Sequence, residues 1–145
     1  MTVVEKTLDD VLALHEYGPE PALLVDDGTD WRGRVVEKPW GHEQEVYRAG
    51  AVSIWRLVLN AKSETSMHCH TGKDTVLLVE QGECVVESLK EAIPLAAGYS
   101  VHIKPGAFHR THTENGAVLI EIETPVNKRD LVRINDKYGR AGTGY

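Results

Sequence analysis

The stretch Gly98 to Thr113, GYSVHIKPGAFHRTHT, runs from a β-prone segment over Ser100 to Lys104 into Pro105-Gly106 and then into an alternating segment that begins at His109. A Pro-Gly pair reverses the chain sharply, so the reading is strand, turn, strand. Side chains alternate across a strand, which puts His109, Thr111 and Thr113 on one face and Arg110 and His112 on the other. Upstream, His68 and His70 flank Cys69 in the run Met67 to His70. Their i, i+2 spacing turns both imidazoles to one side and Cys69 to the other. Two such rings can reach one ion at about 2.0–2.1 Å if the metal is zinc. Alone, this pair is a weak signal and reads first as two half-exposed strand histidines. With His109 as a third donor it points to a metal site.

The same punctuation continues in both directions. VSIWRLVL, TVLLVE, ECVVES and AVLIEIE are short apolar runs separated by NAKSE, QG, AAG and ENG, a spacing that predicts a small all-β sandwich or barrel from about Arg34 onward. Before it, Thr7 to Tyr17 has helical character: Thr7 can cap, Asp9 and Asp10 suit the positive helix end, and Leu8, Val11, Leu12 and Leu14 form a stripe. Gly18, Pro19 and Pro21 stop it. Residues 1–33 are therefore expected to be a helix with an extension, and residues 34–145 the barrel with a basic C-terminal segment. That segment, Val126 to Arg140, carries Lys128, Arg129, Arg133, Lys137 and Arg140, and reads either as a solvated tail or as a flap that meets an anionic ligand.

Composition sets the outer limits. A chain of 145 residues that is 41% hydrophobic and 26% charged is an ordinary single globular domain. A formal charge of -6 argues against a nucleic-acid backbone binder. Two cysteines, Cys69 and Cys84, are too few for a disulfide framework and read as small buried hydrophobes in a reducing compartment. The N-terminus lacks a basic region followed by an apolar core, and no apolar run is long enough to span a bilayer, so a cytoplasmic protein with no membrane partner is expected.

The order His68-Cys69-His70, Gly82, Gly98, Pro105-Gly106 and His109 resembles the two motifs of the cupin superfamily over about Arg34 to Tyr138. The resemblance implies a double-stranded β-helix, or jelly-roll barrel, with a metal held inside. Lys38-Pro39-Trp40-Gly41-His42-Glu43 before the barrel, Ile120-Glu121-Ile122 late in it, and Asp130-Leu131-Val132-Arg133 with Asp136-Lys137-Tyr138-Gly139-Arg140 at the end look like the small mannose-6-phosphate isomerase type. Against that pattern, the basic residue after the histidines is kept as Lys73, but the ligand carboxylate is replaced by Thr75, the usual first-motif glycine by Lys62, and a frequent Asn by Thr113. Asp74 lies one residue from the carboxylate position, and a one-residue shift turns its side chain to the opposite face.

What the resemblance implies is one divalent transition metal on His68, His70 and His109, with iron, zinc, manganese, nickel and copper all compatible with imidazole. Three neutral rings leave such an ion its full double charge, which favours a small anionic, chelating substrate. Lys73 and Glu121 are the candidate catalytic residues; alternation places Glu121 with Leu119 and Glu123. Arg56, Trp55, Thr75 and Thr111 are candidates to contact substrate. The leading activity is a metal-dependent sugar or sugar-phosphate isomerase or epimerase. A three-histidine Fe(II) dioxygenase and a non-catalytic ligand-binding cupin are the alternatives. His102 would be a fourth imidazole only if Val101 and Ile103 face away from the core. His15, His42 and His112 are expected at the surface or in packing, Trp31 and Trp40 in packing, and a homodimer is expected through edge strands.

Overall fold

A computed structural model describes residues 1–18, 25–135 and 138. Asp136, Lys137, Gly139 and Arg140 of the closing motif, Pro19 and Pro21 lie outside the described residues. Twelve strands and one helix follow in the order β1 (Thr2–Val4), α1 (Leu8–Tyr17), β2 (Val35–Lys38), β3 (Gly41–Ala49), β4 (Val52–Leu59), β5 (Ser63–Glu64), β6 (Met67–Cys69), β7 (Asp74–Ser88), β8 (Ala92–Ala96), β9 (Ser100–Ile103), β10 (His109–Thr113), β11 (Ala117–Thr124) and β12 (Val132–Asn135). The main path is β12-β6-β10-β7-β11-β4-β3-β2, a curled sheet of half-barrel form.

β7 makes the curl. Its first half pairs with β9 and β11, and its second half with β8 and β10. The Gln81-Gly82 pair, expected as a turn between two strands, is instead a bend inside one. Gly82 has φ +77, and a Cβ there would sit 2.4 Å from the Gly116 carbonyl oxygen. Only glycine allows the strand to bend against that neighbour and continue.

Alternation then sorts the side chains. Trp55, Leu57 and Leu59 of β4, Leu77 and Val79 of β7, Val101 and Ile103 of β9 and Leu119 of β11 face inward as the main core. A smaller cluster of Met67, Cys69, Phe108 and Val132 lies on the outer side, covered by Ala13 and Leu14 of α1. Burial pushes the Cys69 thiol up to about 12 and the Cys84 thiol up to about 11, so both remain protonated packing groups.

Two substitutions against the motif keep their backbone role. Lys62 holds φ 56, the left-handed conformation a glycine would adopt freely. Thr113 Oγ1 donates to the Glu83 carbonyl at 2.8 Å and accepts from Gly116 N–H at 3.1 Å, so it fastens the turn before β11.

The first 17 residues are built into the wall. β1 adds a parallel strand to β9, which the sequence did not announce. The helix begins as expected, with a capping box between Thr7 and Asp10, but the Leu8, Val11 and Leu12 part of its stripe faces outward, with Leu8 70% exposed. Asp10, Ala13 and Leu14 form the inner face instead, because the Asp10 carboxylate accepts the buried Phe108 N–H at 2.9 Å. Among the described residues no helix is long and apolar enough to cross a membrane.

Candidate metal centre

Strand pairing brings the two histidine stretches together. His68 stands directly opposite His109 across the β6–β10 ladder. The Pro105-Gly106 turn adds a second tie, because Gly106 N–H donates to the His70 carbonyl at 2.8 Å. The three ring centroids are 4.4–5.5 Å apart, and one ligand atom from each histidine lies within 4.8 Å of the others.

Each ring is oriented by a backbone oxygen. His68 Nδ1 is 2.7 Å from the Ser66 carbonyl, His70 Nδ1 2.7 Å from the Asp130 carbonyl, and His109 Nδ1 3.0 Å from the Ala107 carbonyl. A carbonyl has no proton to give, so each Nδ1 carries the hydrogen and each Nε2 keeps its lone pair, the arrangement seen when histidines bind a metal. Burial, and for His68 the neighbouring His109, hold the His68 imidazole well below its ordinary range; burial and then Lys73 do the same for His70. Burial lowers His109 to about 4, against the opposing pull of the Ala107 carbonyl. Three neutral, pre-oriented nitrogen donors suit a divalent transition metal.

Asp130, buried and 4% exposed, fixes the loop after β6. Its carboxylate accepts from Thr71 N–H at 2.6 Å, Thr71 Oγ1–H at 2.8 Å and Gly72 N–H at 2.8 Å, while its carbonyl takes the His70 proton. The segment after β11 therefore belongs to the site. Arg133, on β12, is 3% exposed and donates through Nε to Ser66 Oγ, which itself lies 3.2 Å from His68 Nδ1. Of the described residues of this basic segment, Lys128 and Arg133 line the cavity beside the histidines.

The rings line a cavity of about 80 Å³, room for a handful of waters and hence for the reacting end of a small ligand. The same cavity is lined by charged groups. Lys73 Nζ donates to Glu123 Oε2 at 2.5 Å and to the Asn127 carbonyl at 3.2 Å, and Trp55 Nε1 donates to Glu123 Oε1 at 3.2 Å. Lys128 pairs with Glu43 and lies 3.9 Å over the Trp55 ring. Burial alone would raise Glu43, but Lys128 and Lys38 outweigh it and hold the carboxyl below its usual range. Glu121 goes the other way: burial, then the charge of Glu123, pushes it up to about 8. Four cationic side chains, Lys38, Lys73, Lys128 and Arg133, thus meet three carboxyls, Glu43, Glu121 and Glu123. The cavity is net positive.

Of the sequence-derived candidates, His68, His70, His109, Lys73, Glu121 and Thr111 line this cavity. Arg56 does not: it projects from the outer face of β4 and pairs with Glu80 at 3.4 Å, because its neighbours Trp55 and Leu57 take the inward positions. Trp55 is a buried support behind the cavity, and Thr75 is buried with an unpartnered Oγ1. Asp74 and His102, considered as substitute ligands, bond each other at 2.8 Å on the outer side of the β7–β9 pair. His42 lies within β3 opposite Val58. Glu43, Glu123, Lys128 and Ser66 were not singled out as site residues. Glu123 carried a signal through alternation with Glu121, Glu43 through the Pro-Trp-Gly stretch and Lys128 through the basic segment; Ser66 carried none.

The mannose-6-phosphate isomerase C-terminal family model matches residues 27–136. No curated protein matches the sequence. Among solved structures, an RmlC-like cupin from Shewanella frigidimarina NCIMB 400 is similar with a TM-score of 0.60 at 21% identity, covering 64% of this chain and 84% of its own. KdgF from Halomonas sp. is similar with a TM-score of 0.59 at 19% identity, over 72% and 95% of the two chains. A cupin-superfamily sugar phosphate isomerase from Silicibacter pomeroyi DSS-3 is similar with a TM-score of 0.54 at 14% identity, over 59% of each. At these identities the structures speak for the fold alone. With its two histidine stretches on facing strands of a curled sheet and a family match over most of its length, this chain belongs to the mannose-6-phosphate isomerase C-terminal family of cupins.

Proposed function

We propose that the protein is a metal-dependent isomerase or epimerase of a sugar or sugar phosphate. The observation that carries this reading is one small cavity lined both by three carbonyl-oriented imidazoles and by a carboxyl, Glu121, pushed up to about 8 by burial and by Glu123. His68, His70 and His109 would hold the ion. Bound there, a divalent metal supplies a Lewis acid toward a substrate carbonyl or hydroxyl. Glu121 is the group that gives and takes the proton moved between neighbouring carbons, since an acid titrating near the working pH serves both directions. Lys73, held by Glu123 and the Asn127 carbonyl, presents positive charge to an anionic substrate, and Thr111 lines the same space. The family match supports the substrate class.

The test is metal analysis of purified protein, followed by incubation of the metal-loaded form with aldose and ketose phosphates in D₂O. Deuterium at the carbon next to the carbonyl, lost by about 10²–10⁴-fold in Glu121→Gln, is the expected result. Absence of exchange with every substrate would overturn the reading. One observation favours a second reading: Thr75 stands where the family pattern has a carboxylate, leaving a neutral donor set, and this suits a three-histidine Fe(II) dioxygenase. Substrate-dependent oxygen uptake would support it in place of the first. We also propose self-association through β2, the open edge of the sheet, where Val35 is 53% exposed. Sedimentation should give a dimer that Val35→Lys dissociates.

A further inference from the structure

The peptide unit between Ala107 and Phe108 is held at both ends. Its C=O accepts the His109 Nδ1 proton at 3.0 Å, and its N–H donates to Asp10 Oδ1 at 2.9 Å, from a residue 98 positions away in sequence. Asp10 is only 3% exposed, and its other oxygen, Oδ2, accepts from Thr7 N–H at 2.8 Å and Thr7 Oγ1–H at 2.9 Å. The rest of the N-terminal arm presses on the same turn. Lys104 N–H donates to the Val4 carbonyl at 3.0 Å, and the Lys6 side chain sits against Gly106, whose own N–H holds the His70 carbonyl. Ala13 and Leu14 cover Phe108.

We propose that Asp10 is a positioning residue of the metal centre, acting on His109 through the Ala107–Phe108 peptide. A carboxylate on the N–H end of an amide polarises it and makes its carbonyl oxygen a stronger acceptor, because hydrogen bonds in series reinforce one another at low dielectric. The stronger acceptor draws on the Nδ1 proton of His109 and leaves Nε2 the more basic donor. Histidine ligands commonly get this from a carboxylate that touches the ring. Here one peptide group stands between the two, so a charge on the N-terminal helix tunes a ligand on the barrel. The arm is thereby part of the site, and not only a cover for the smaller apolar cluster. The inference rests on the three-histidine metal reading.

Two variants separate tuning from folding. Asp10→Asn keeps the shape and an acceptor for Phe108 N–H but removes the charge, and its NH2 group replaces the oxygen that accepts from Thr7, so the capping bond is lost as well. Thr7→Val removes the capping hydroxyl and leaves the Asp10–Phe108 bond in place. Co²⁺ is titrated into each, with affinity taken from chelator competition and ligand field from the visible spectrum, and melting temperature is measured in parallel. Asp10→Asn should weaken Co²⁺ binding about tenfold and shift the Co²⁺ bands. Thr7→Val should lower the melting temperature by about 3–5 °C with affinity and spectrum unchanged. Wild-type affinity and spectrum in Asp10→Asn would overturn the proposal, as would equal losses of affinity in both variants. Failure of the wild-type protein to bind Co²⁺ would sink the metal reading. The relay is then decided in metal-free protein by the His109 Nδ1–H proton resonance, which Asp10→Asn must move and Thr7→Val must not.

Discussion

Five histidines lie on or beside the strands around β7, and the face on which each sits decides its partner. On the outer face His102 meets Asp74 and His112 meets Glu87, each at 2.8 Å, so both imidazoles lean on carboxylates near solvent. On the inner face His68, His70 and His109 each set Nδ1 on a backbone carbonyl and meet no carboxylate, and one ligand atom from each lies within 4.8 Å of the others. The residue type is the same, and the partner makes the outer pair surface electrostatics and the inner three a donor set. The sharpest way to break this contrast is a matched pair of substitutions. His109→Ala should lose stoichiometric metal binding, an affinity drop of at least about 100-fold, with the barrel still folded by circular dichroism. His112→Ala should bind metal as the wild type does. Full metal content in His109→Ala would remove the basis of the inner set.

The charged pairs divide in the same way. Lys73 and Glu123 sit 2.5 Å apart with side chains 3% and 2% exposed, whereas Arg56 and Glu80 sit 3.4 Å apart with both side chains 42% exposed. Removing one partner of a buried pair strands a charge away from water, so Lys73→Met should cost about 3–5 kcal/mol of unfolding free energy. Adding Glu123→Gln should recover much of the loss. Arg56→Ala should change stability by no more than about 1 kcal/mol, since exposed pairs are screened. Urea unfolding of the four proteins reads these differences directly. A small loss in Lys73→Met would mean that water reaches the pair.

Proton linkage sharpens the contrast further. His109 titrates near 4 in the folded protein against 6.5 ordinarily, so between those values the unfolded chain takes a proton that the folded one refuses. Stability of the metal-free protein is therefore lost as pH falls through that window, by about 3 kcal/mol for this ring. Glu121 has the opposite sign. Raised from 4.5 to about 8, it keeps a proton that the unfolded chain releases, and stability is lost as pH rises across that range. His68 and His70, also held well below their ordinary range, add to the loss on the acid side, so metal-free protein should be most stable near pH 6.5. His109→Phe should flatten the acid side of the profile and Glu121→Gln the alkaline side, as followed by denaturant midpoints at a series of pH values.

Alternation explains how much of this was legible in the sequence. Wherever a strand carried its own phase, the face could be read: Val101 and Ile103 inside implied His102 outside, and His109 inside implied Arg110 and His112 outside. The Lys62 and Thr113 exceptions were visible as departures: Lys62 holds the left-handed conformation that a glycine adopts freely, and Thr113 Oγ1 fastens the turn before β11. Arg56 was misplaced because VSIWRLVL is apolar on both faces, so its phase emerged only once Trp55 and Leu57 were seen in the core. Gln81-Gly82 looked like a turn because a bend within one strand and a turn between two use the same residues. The loop after β11 and the N-terminal arm were the least legible. Their roles rest on contacts such as Asp130 with Thr71 and Asp10 with Phe108, made across long sequence distances that no local pattern encodes.

Thr75 tests the smallest difference between the two faces. It occupies the inward position where the family pattern has a ligand carboxylate, is 1% exposed, and leaves Oγ1 without a hydrogen-bond partner. A buried hydroxyl with no partner pays its desolvation and gets nothing back. Valine keeps the branched shape that suits a strand and removes the oxygen. Thr75→Val should therefore leave stability unchanged or raise it by about 1 kcal/mol, where most buried substitutions lower it. If the hydroxyl serves substrate, the same variant should raise KM at unchanged stability. A loss of stability would mean instead that Oγ1 is bonded in solution, by a water or by a ligand in the cavity, and would restore Thr75 to the site.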